Sequence, residues 1–550
     1  MTLRLFAGAL ALLALSSRAD ASGTCIADCN DDAAVTVNEL VTGVTIALGS
    51  AALDLCPAAD CAREGAVSIS CLVQAVNAAL EGCVNVPTPS AIEGPITSGM
   101  GAPFVAGTTF DLAEVGYQQT EYFLTGTARA FRNVGELGTD GRWSAEPSGE
   151  TAAYKTRVIV NRPIDPADFN GTVMIEWHNV SGGLDASPDW LLAHTELIRE
   201  GYAFVGLSAQ KIGIEGGTAA VGVISLPLKT VDPVRYASLS HPGDSFSYDI
   251  LSQTGQAIRD RAGIAPLDEL PVERIIAAGE SQSAFRMVTY INAFHRLTRL
   301  FDGYLVHSRG AIGAPLSEAP LPVIQVPGAT IVRDDLDVPT MIFQAETDLT
   351  FLNYLAARQP DTASISVWEA AGTAHADLYT LSKGAVDRGD DPDVAKLTVT
   401  AEPIPGIINC GVPVNDGPQH FVLKAAIHAL ERWVRDGTAP AVAPPLEVSA
   451  GPPVAIVRDA RGIALGGIRT PAVDVPLAVL SGDAQPGTLI CALFGITVPF
   501  DDATLMELYA DQAAYVDAVE ASADAAVAAG FLLPPDAALI KAAAAETAIP

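Results

Sequence analysis

The stretch Arg274-Ile275-Ile276-Ala277-Ala278-Gly279-Glu280-Ser281-Gln282-Ser283 decides the fold. Arg274 to Ala278 is a short, mostly apolar run of the kind that makes a buried strand. Ala284 to Leu297, just beyond, reads as a helix. Between them stands Ser281, with Gly279 two positions before it and Ser283 two after. A serine so flanked, on a tight turn from strand to helix, has the pattern of a nucleophile elbow. The flanks are small for a physical reason. The strained turn brings them almost against neighbouring backbone, where a larger side chain would clash. The five-residue pattern alone is common by chance, and its strand–turn–helix setting gives it meaning. A helix N-cap is the plainer role for Ser281, but Ser283 fills that role equally well.

Outward from this turn, strand-like and helix-like runs alternate. A meander-like region covers Tyr122 to Val160. Thr172 to Trp177 and Tyr202 to Leu207 read as strands, with Asp189 to Arg199 helical between them. Tyr248 to Ala262 is helical. Tyr304 to His307, Thr340 to Gln344 and Ile365 to Trp368 are strand-like, and Gln419 to Arg435 is an amphipathic helix. This alternation predicts an α/β fold with a mostly parallel sheet flanked by helices. Functional groups in such sheets gather at the carboxyl ends of strands.

A serine hydroxyl is a weak nucleophile at neutral pH and needs a base, with an acid to orient that base. On elbow-bearing folds the chain order is serine, acid, histidine. Asp348 follows one later strand and His375 the next, which supplies that order. Glu346 competes for the acid, although Asp348 lies further past its strand end. His420, near a helix start, competes for the base. The other histidines lie before the acid or inside predicted elements. A tetrahedral intermediate needs two N–H donors. One is expected from Gln282, after the nucleophile. The other is expected from the loop His178 to Gly183, with Asn179 or Val180 as donor. Long segments 208–244, 308–338 and 376–417 are placed to wall or cover such a site.

The chain has 550 residues, 49% hydrophobic, with 32 basic and 64 acidic residues and a formal charge of −32. A body this acidic repels nucleic acid and anionic membrane surfaces, so neither is an expected partner. Arg4, the apolar run Leu5 to Leu15 and Ala19-Asp20-Ala21 read as a signal peptide spanning 1–21. The expectation is an exported protein, secreted or periplasmic, where disulfides form. Of eight cysteines, Cys25, Cys29, Cys56, Cys61, Cys71 and Cys83 crowd the front. They imply a bridge framework without revealing its pairing. Cys410 with Cys491 is the natural remaining pair.

The front also holds a repeat. Asp28 to Leu48 is echoed by Asp60 to Leu80, and Val41, Val44 and Leu48 map onto Val73, Val76 and Leu80. Each half ends in an amphipathic helix. Asp28, Asn30, Asp32, Thr36 and Glu39 follow the oxygen-ligand order of an EF-hand loop. The region 22–83 thus resembles a dockerin-type calcium module, small, all-α and disulfide-rich. That resemblance implies a structural calcium and a protein partner. Departures weaken both. Ala33 replaces the turn glycine, and Ala62 and Cys71 replace two ligands in the second loop. One calcium or a metal-free helix pair are both open readings. Residues 84–93, with Pro87 and Pro89, read as a linker to a body spanning 94–550.

The stretches EWHNVSGG, GLSAQ, HPGDSFSYDI, GESQSAFR, AGTAHAD and NDGPQHFVLKAAIHALERWVRDG together resemble the α/β-hydrolase superfamily. More narrowly, the chain is similar to exported "alpha/beta hydrolase domain" proteins. The resemblance implies the α/β-hydrolase fold and serine-hydrolase chemistry without a catalytic cofactor. Ser281 and His375 match its elbow and histidine motifs, and the acid is Asp348 or Glu346. The expected reaction is hydrolysis of a carboxylic ester, small or borne on a polymer, through an acyl-serine. An amidase or peptidase on the same residues, or a silent calcium-dependent scaffold, are the alternatives.

Overall fold

In a computed structural model of the chain, residues 25–30, 34–61, 65–83, 86–221, 225–260, 266–267 and 270–550 are described. The predicted signal peptide, Asp32 and the last residues of the helix expected to reach Ala262 lie outside them. The chain divides into two units, 1–86 and 87–550.

The larger unit is built on a nine-stranded sheet. Its strands are β1 (Ala91–Glu93), β2 (Tyr117–Asn133), β3 (Ala145–Pro163), β4 (Thr172–Trp177), β5 (Ala203–Leu207), β6 (Arg274–Glu280), β7 (Gly303–His307), β8 (Thr340–Ala345) and β9 (Ile365–Ala370). Their order is β1-β2-β3-β5-β4-β6-β7-β8-β9. The first three strands and β5 pair antiparallel, and β5 onward is parallel. The expected meander is one long hairpin, β2 with β3, whose register shifts between Arg129 and Phe131. Ala91–Glu93, placed in the linker by the sequence reading, is instead the edge strand on β2.

Every residue of β4, β5, β7 and β8 is buried. Both faces of these central strands are covered, which is why they read as continuous apolar runs rather than alternating ones. Period two still sorts their side chains. Ile275, Ala277, Val173 and Ile175 meet the helices Ser247–Asp260 and Gln282–Thr298 in one core, through Tyr248, Leu251, Met287 and Phe294. Ile276, Ala278 and Met174 meet the helices Pro188–Arg199 and Gln419–Asp436 in the other, through Trp190, Leu192, Val422 and Leu430. Strand β6 thereby runs through the middle of the sheet, and its carboxyl end is the elbow. Beyond Asp436 the body adds a two-stranded sheet, Ala478–Ser481 with Ile496–Pro499, and a helix pair, Gln512–Ala528 and Pro534–Glu546. The cysteines Cys410 and Cys491 are joined within this body.

The smaller unit contains the helices Val37–Ala47 and Ile69–Glu81. Three disulfides close it, Cys25–Cys83, Cys29–Cys56 and Cys61–Cys71. Its interior is made largely by half-cystines and small residues, including Cys56, Cys71, Ala27, Ala59 and Ala75, with Val35, Ile46 and Val67 beside them. The repeated apolar positions point the other way. Val37, Val41 and Val44 on the first helix and Leu48 just past its end are exposed, as are Ile69, Val73, Val76 and Leu80 on the second. Cross-links stand in for a large core here, so these stripes are not needed inside.

Candidate active site

Ser281 sits at φ 57° and ψ −119°, one of few non-glycine residues with positive φ. Such a conformation costs about 1–3 kcal/mol and persists only where the surroundings enforce it. Here Ser281 N–H donates to the His307 carbonyl at 2.9 Å, and the Ser281 carbonyl accepts from Phe285 N–H at 3.1 Å. One bond ties the turn to β7 and the other starts the helix. A Cβ on Gly279 would fall 2.7 Å from the Ser283 carbonyl oxygen, so glycine is required two residues before the serine.

His375 follows β9 on a turn stitched from several sides. Gly372 takes φ +73°. Asn415 Nδ2 donates to the Gly372 carbonyl at 3.1 Å, and His375 N–H donates to Thr347 Oγ1 at 3.2 Å. The imidazole then bridges two groups. Nδ1 lies 2.7 Å from Asp348 Oδ1, and Nε2 lies 2.8 Å from Ser281 Oγ. A carboxylate only accepts, so Nδ1 carries the proton and Nε2 accepts from the serine hydroxyl. Asp348 is fully buried, and its other oxygen accepts from Ala345 N–H at 2.7 Å. Burial works against the imidazolium, but the Asp348 hydrogen bond and charge, with Glu280, push His375 above its usual value.

The competing residues are drawn elsewhere. Glu346 accepts from Gly372 N–H at 2.6 Å, Gly482 N–H at 3.0 Å and Arg458 Nη2 at 2.7 Å. It ties loops together and does not face His375. His420 lies flat on Tyr379, with ring centroids 3.7 Å apart, away from Ser281.

The loop after β4 crosses the elbow. Ser283 Oγ donates to the His178 carbonyl at 3.2 Å, and Asn179 Nδ2 donates to the Glu280 carbonyl at 3.2 Å. Asn179 N–H is already committed to the Ala186 carbonyl at 2.9 Å. The N–H groups of Val180 and Gln282 donate to no described residue. Beneath the loop, Arg157 joins Asp185 and Glu121 at 3.0 Å each, all three fully buried, and Asp185 lies 3.7 Å from the buried His178 ring. This charged lattice fixes the loop to the antiparallel part of the sheet.

Sequence reasoning missed Glu280. Its Oε1 lies 3.4 Å from His375 Nε2, and its Oε2 accepts from Asn179 Nδ2 at 2.8 Å. Burial pushes its carboxyl up to about 7. Its place inside the elbow motif was the available signal. It also missed the support under the turn. His307 Nδ1 meets Asp189 Oδ1 at 2.7 Å, and His307 Nε2 meets Gln419 Nε2 at 3.0 Å. The carbonyl of that same residue holds Ser281 N–H.

In the smaller unit, Glu39 caps the first helix. Its oxygens accept from Cys29 N–H at 2.9 Å and Thr36 N–H at 2.8 Å. The Thr36 N–H bond, against a smaller effect of burial, holds its carboxyl below the usual range. Thr36 Oγ1 also donates to Glu39, so two of the expected calcium ligands serve each other. Among the described residues, Glu196, Glu200 and His428 form the one group spaced to hold a metal. Glu196 already bonds Arg199 and His428 there. No described helix is long and apolar enough to cross a membrane.

A family model described as alpha/beta hydrolase domain matches residues 92–542. No curated protein matches. Among solved structures, an α/β serine hydrolase without lid from Xanthomonas campestris is 14% identical, over 44% of this chain and 83% of that one, with a TM-score of 0.24. An esterase from Pyrococcus furiosus is 10% identical over 48% and 86%, at 0.24. A fungal esterase structure from Rhizomucor miehei is 12% identical over 46% and 78%, at 0.23.

Proposed function

The chain belongs to the alpha/beta hydrolase domain family, and on that premise we propose that it is a serine esterase acting through Ser281, His375 and Asp348. One observation carries the reading: a single imidazole lies within hydrogen-bond reach of both the strained serine and a buried carboxylate. His375 Nε2 takes the Ser281 proton as Oγ attacks the ester carbonyl. Gln282 N–H and Val180 N–H hold the oxyanion. The imidazolium, steadied by Asp348, returns the proton to the leaving alkoxide, and an acyl-serine remains. Water then attacks the acyl carbon, His375 takes its proton, and the acid departs as Ser281 is restored.

Labelling by a fluorophosphonate probe tests this. Wild-type protein is expected to label and Ser281→Ala protein not to; an unlabelled, folded wild type sinks the proposal. Matched ester and amide substrates separate the esterase from a peptidase on the same residues, and ester turnover is expected to dominate.

We read the protein as exported. The predicted signal peptide and four disulfides support that. For the smaller unit we favour the metal-free helix pair, because Glu39 and Thr36 satisfy each other. Its twin exposed stripes support a role in holding a protein partner.

A further inference from the structure

The turn that carries His375 is gripped by two distant segments of chain, on both sides of the imidazole. Ala376 N–H donates to the Leu493 carbonyl at 3.2 Å, and Leu378 N–H donates to the Asn415 carbonyl at 2.8 Å. Asn415 Nδ2 donates to the Gly372 carbonyl at 3.1 Å and to the Ser481 carbonyl at 3.2 Å. Asn415 is fully buried. Its remaining polar groups are bonded too: its N–H donates to the Phe494 carbonyl at 2.8 Å, and its Oδ1 accepts from Gly417 N–H at 2.8 Å.

The two gripping segments are covalently joined. Cys410 and Cys491 form a disulfide between positions 81 residues apart in sequence. Phe494 N–H donates to the Cys491 carbonyl at 3.1 Å, so one tight turn separates the bridge from the Leu493 and Phe494 carbonyls. Both half-cystines share an apolar cluster with Leu378, Ile408, Val414 and Phe494, which packs the bridge against the turn itself. Asn415 and Phe494 belong to no helix or strand, so no ladder of main-chain bonds fixes their distance from His375. A cross-link restrains such segments most when it closes a long excursion of chain.

Thr497 ties the same segments a second time. Its N–H donates to the Pro413 carbonyl at 3.1 Å and its Oγ1 to the Val414 carbonyl at 2.8 Å. Opening the bridge therefore loosens the grip rather than dissolving it. The imidazole has little tolerance for such loosening, because one ring has to meet Asp348 at 2.7 Å and Ser281 at 2.8 Å together.

We infer, resting on the role proposed for His375, that the Cys410–Cys491 disulfide and Asn415 are positioning groups for that imidazole, and that full ester turnover needs the bridge intact. Neither touches the reacting atoms; both act through the turn between Gly372 and Leu378.

Full-length Cys410→Ala/Cys491→Ala protein and Asn415→Ala protein are compared with wild type in fluorophosphonate labelling, in kcat and KM for an activated aryl ester, and in the pH profile of kcat/KM. Each variant is expected to lose about 10-fold in kcat, since a misplacement of roughly 1 Å costs about 10² and the remaining bonds limit the drift. KM should stay within about twofold, because the loss is confined to the transition state. The acid limb should move to lower pH. Burial opposes protonation of His375 and the Asp348 bond favours it, so a loosened bond frees the base at lower pH. Cys61→Ala/Cys71→Ala protein loses a bridge of the smaller unit instead and should match wild type in all three measurements. If the variants fail to fold, folded wild type is treated with dithiothreitol. Each bridge opened takes two electrons and two protons from the reagent, which closes to its own cyclic disulfide. Alkylation and peptide mass report when Cys410 and Cys491 are free, and kcat should fall in step. Wild-type kcat in either folded variant, or after this bridge has opened, overturns the inference. So does a kcat loss with an unmoved acid limb, or one shared by the Cys61→Ala/Cys71→Ala protein. A folded wild type that fails to label defeats instead the reading of Ser281 and His375 on which the inference rests.

Discussion

Replacing Gly279 by alanine tests the elbow at its tightest point. An alanine Cβ there would lie 2.7 Å from the Ser283 carbonyl oxygen, 2.8 Å from its carbonyl carbon and 3.2 Å from Ala284 N. Ordinary contact begins near 3.4 Å, so the first turn of the helix must retreat by roughly 0.7 Å. Those atoms are backbone and cannot swing aside. Ser281 lies between the two colliding residues and moves with them. A displacement approaching 1 Å costs about 10²-fold in a positioned reaction, so kcat/KM is expected to fall roughly 30- to 100-fold, about 2–3 kcal/mol. Overpacking also lowers stability by about 1–3 kcal/mol. The backbone at Gly279 has no positive φ, so the effect is steric rather than conformational. Gly328→Ala is the matched control. Nothing lies within 4 Å of its added Cβ and its φ is not positive, so activity and melting temperature should hold. Fluorophosphonate labelling rate, turnover of an activated aryl ester and thermal melting read the outcome. A folded Gly279→Ala protein that labels and turns over like wild type refutes the reasoning.

Asp348→Asn should lower ester turnover about 10⁴-fold, because the imidazole loses its orienting acceptor 2.7 Å away. Glu346→Ala should instead lower stability by about 3 kcal/mol, read by denaturant unfolding, since it strips Arg458 of a fully buried partner. If the two effects are exchanged, the acid has been misassigned. Glu280→Gln should move the acid limb of kcat/KM to lower pH. His375 must be unprotonated at Nε2 to act, so activity rises with pH through its pKa. Burial opposes protonation, while Asp348 and Glu280 favour it. Removing a carboxylate 3.4 Å from Nε2 destabilises the imidazolium, and an unmoved limb excludes that role. Millimolar calcium should leave the unfolding of the smaller unit unchanged in scanning calorimetry of the full chain; a clear upward shift restores the metal-bound reading.

The chain order of its motifs reveals a good deal. Strand, tight turn and helix around Ser281 are local, because period and side-chain size act within a few residues of each other. Parallel strands β4 to β9 are rich in apolar residues since both faces are covered, and that density is visible in one dimension. The order of Ser281, Asp348 and His375 follows from successive strand ends. Other features depend on contacts between distant segments. Asp348 and Glu346 stand two residues apart on one short helix, and only packing turns one to His375 and the other to Arg458. Asn179 looked equal to Val180 until the Ala186 carbonyl took its N–H. The apolar repeat in the smaller unit has a helical period whichever way it faces. Its outward direction is set by the disulfides that fill the interior. Periodicity and turn chemistry are written in neighbouring residues. Which of two equivalent side chains faces a partner depends on atoms brought together by folding, and no local pattern contains that choice.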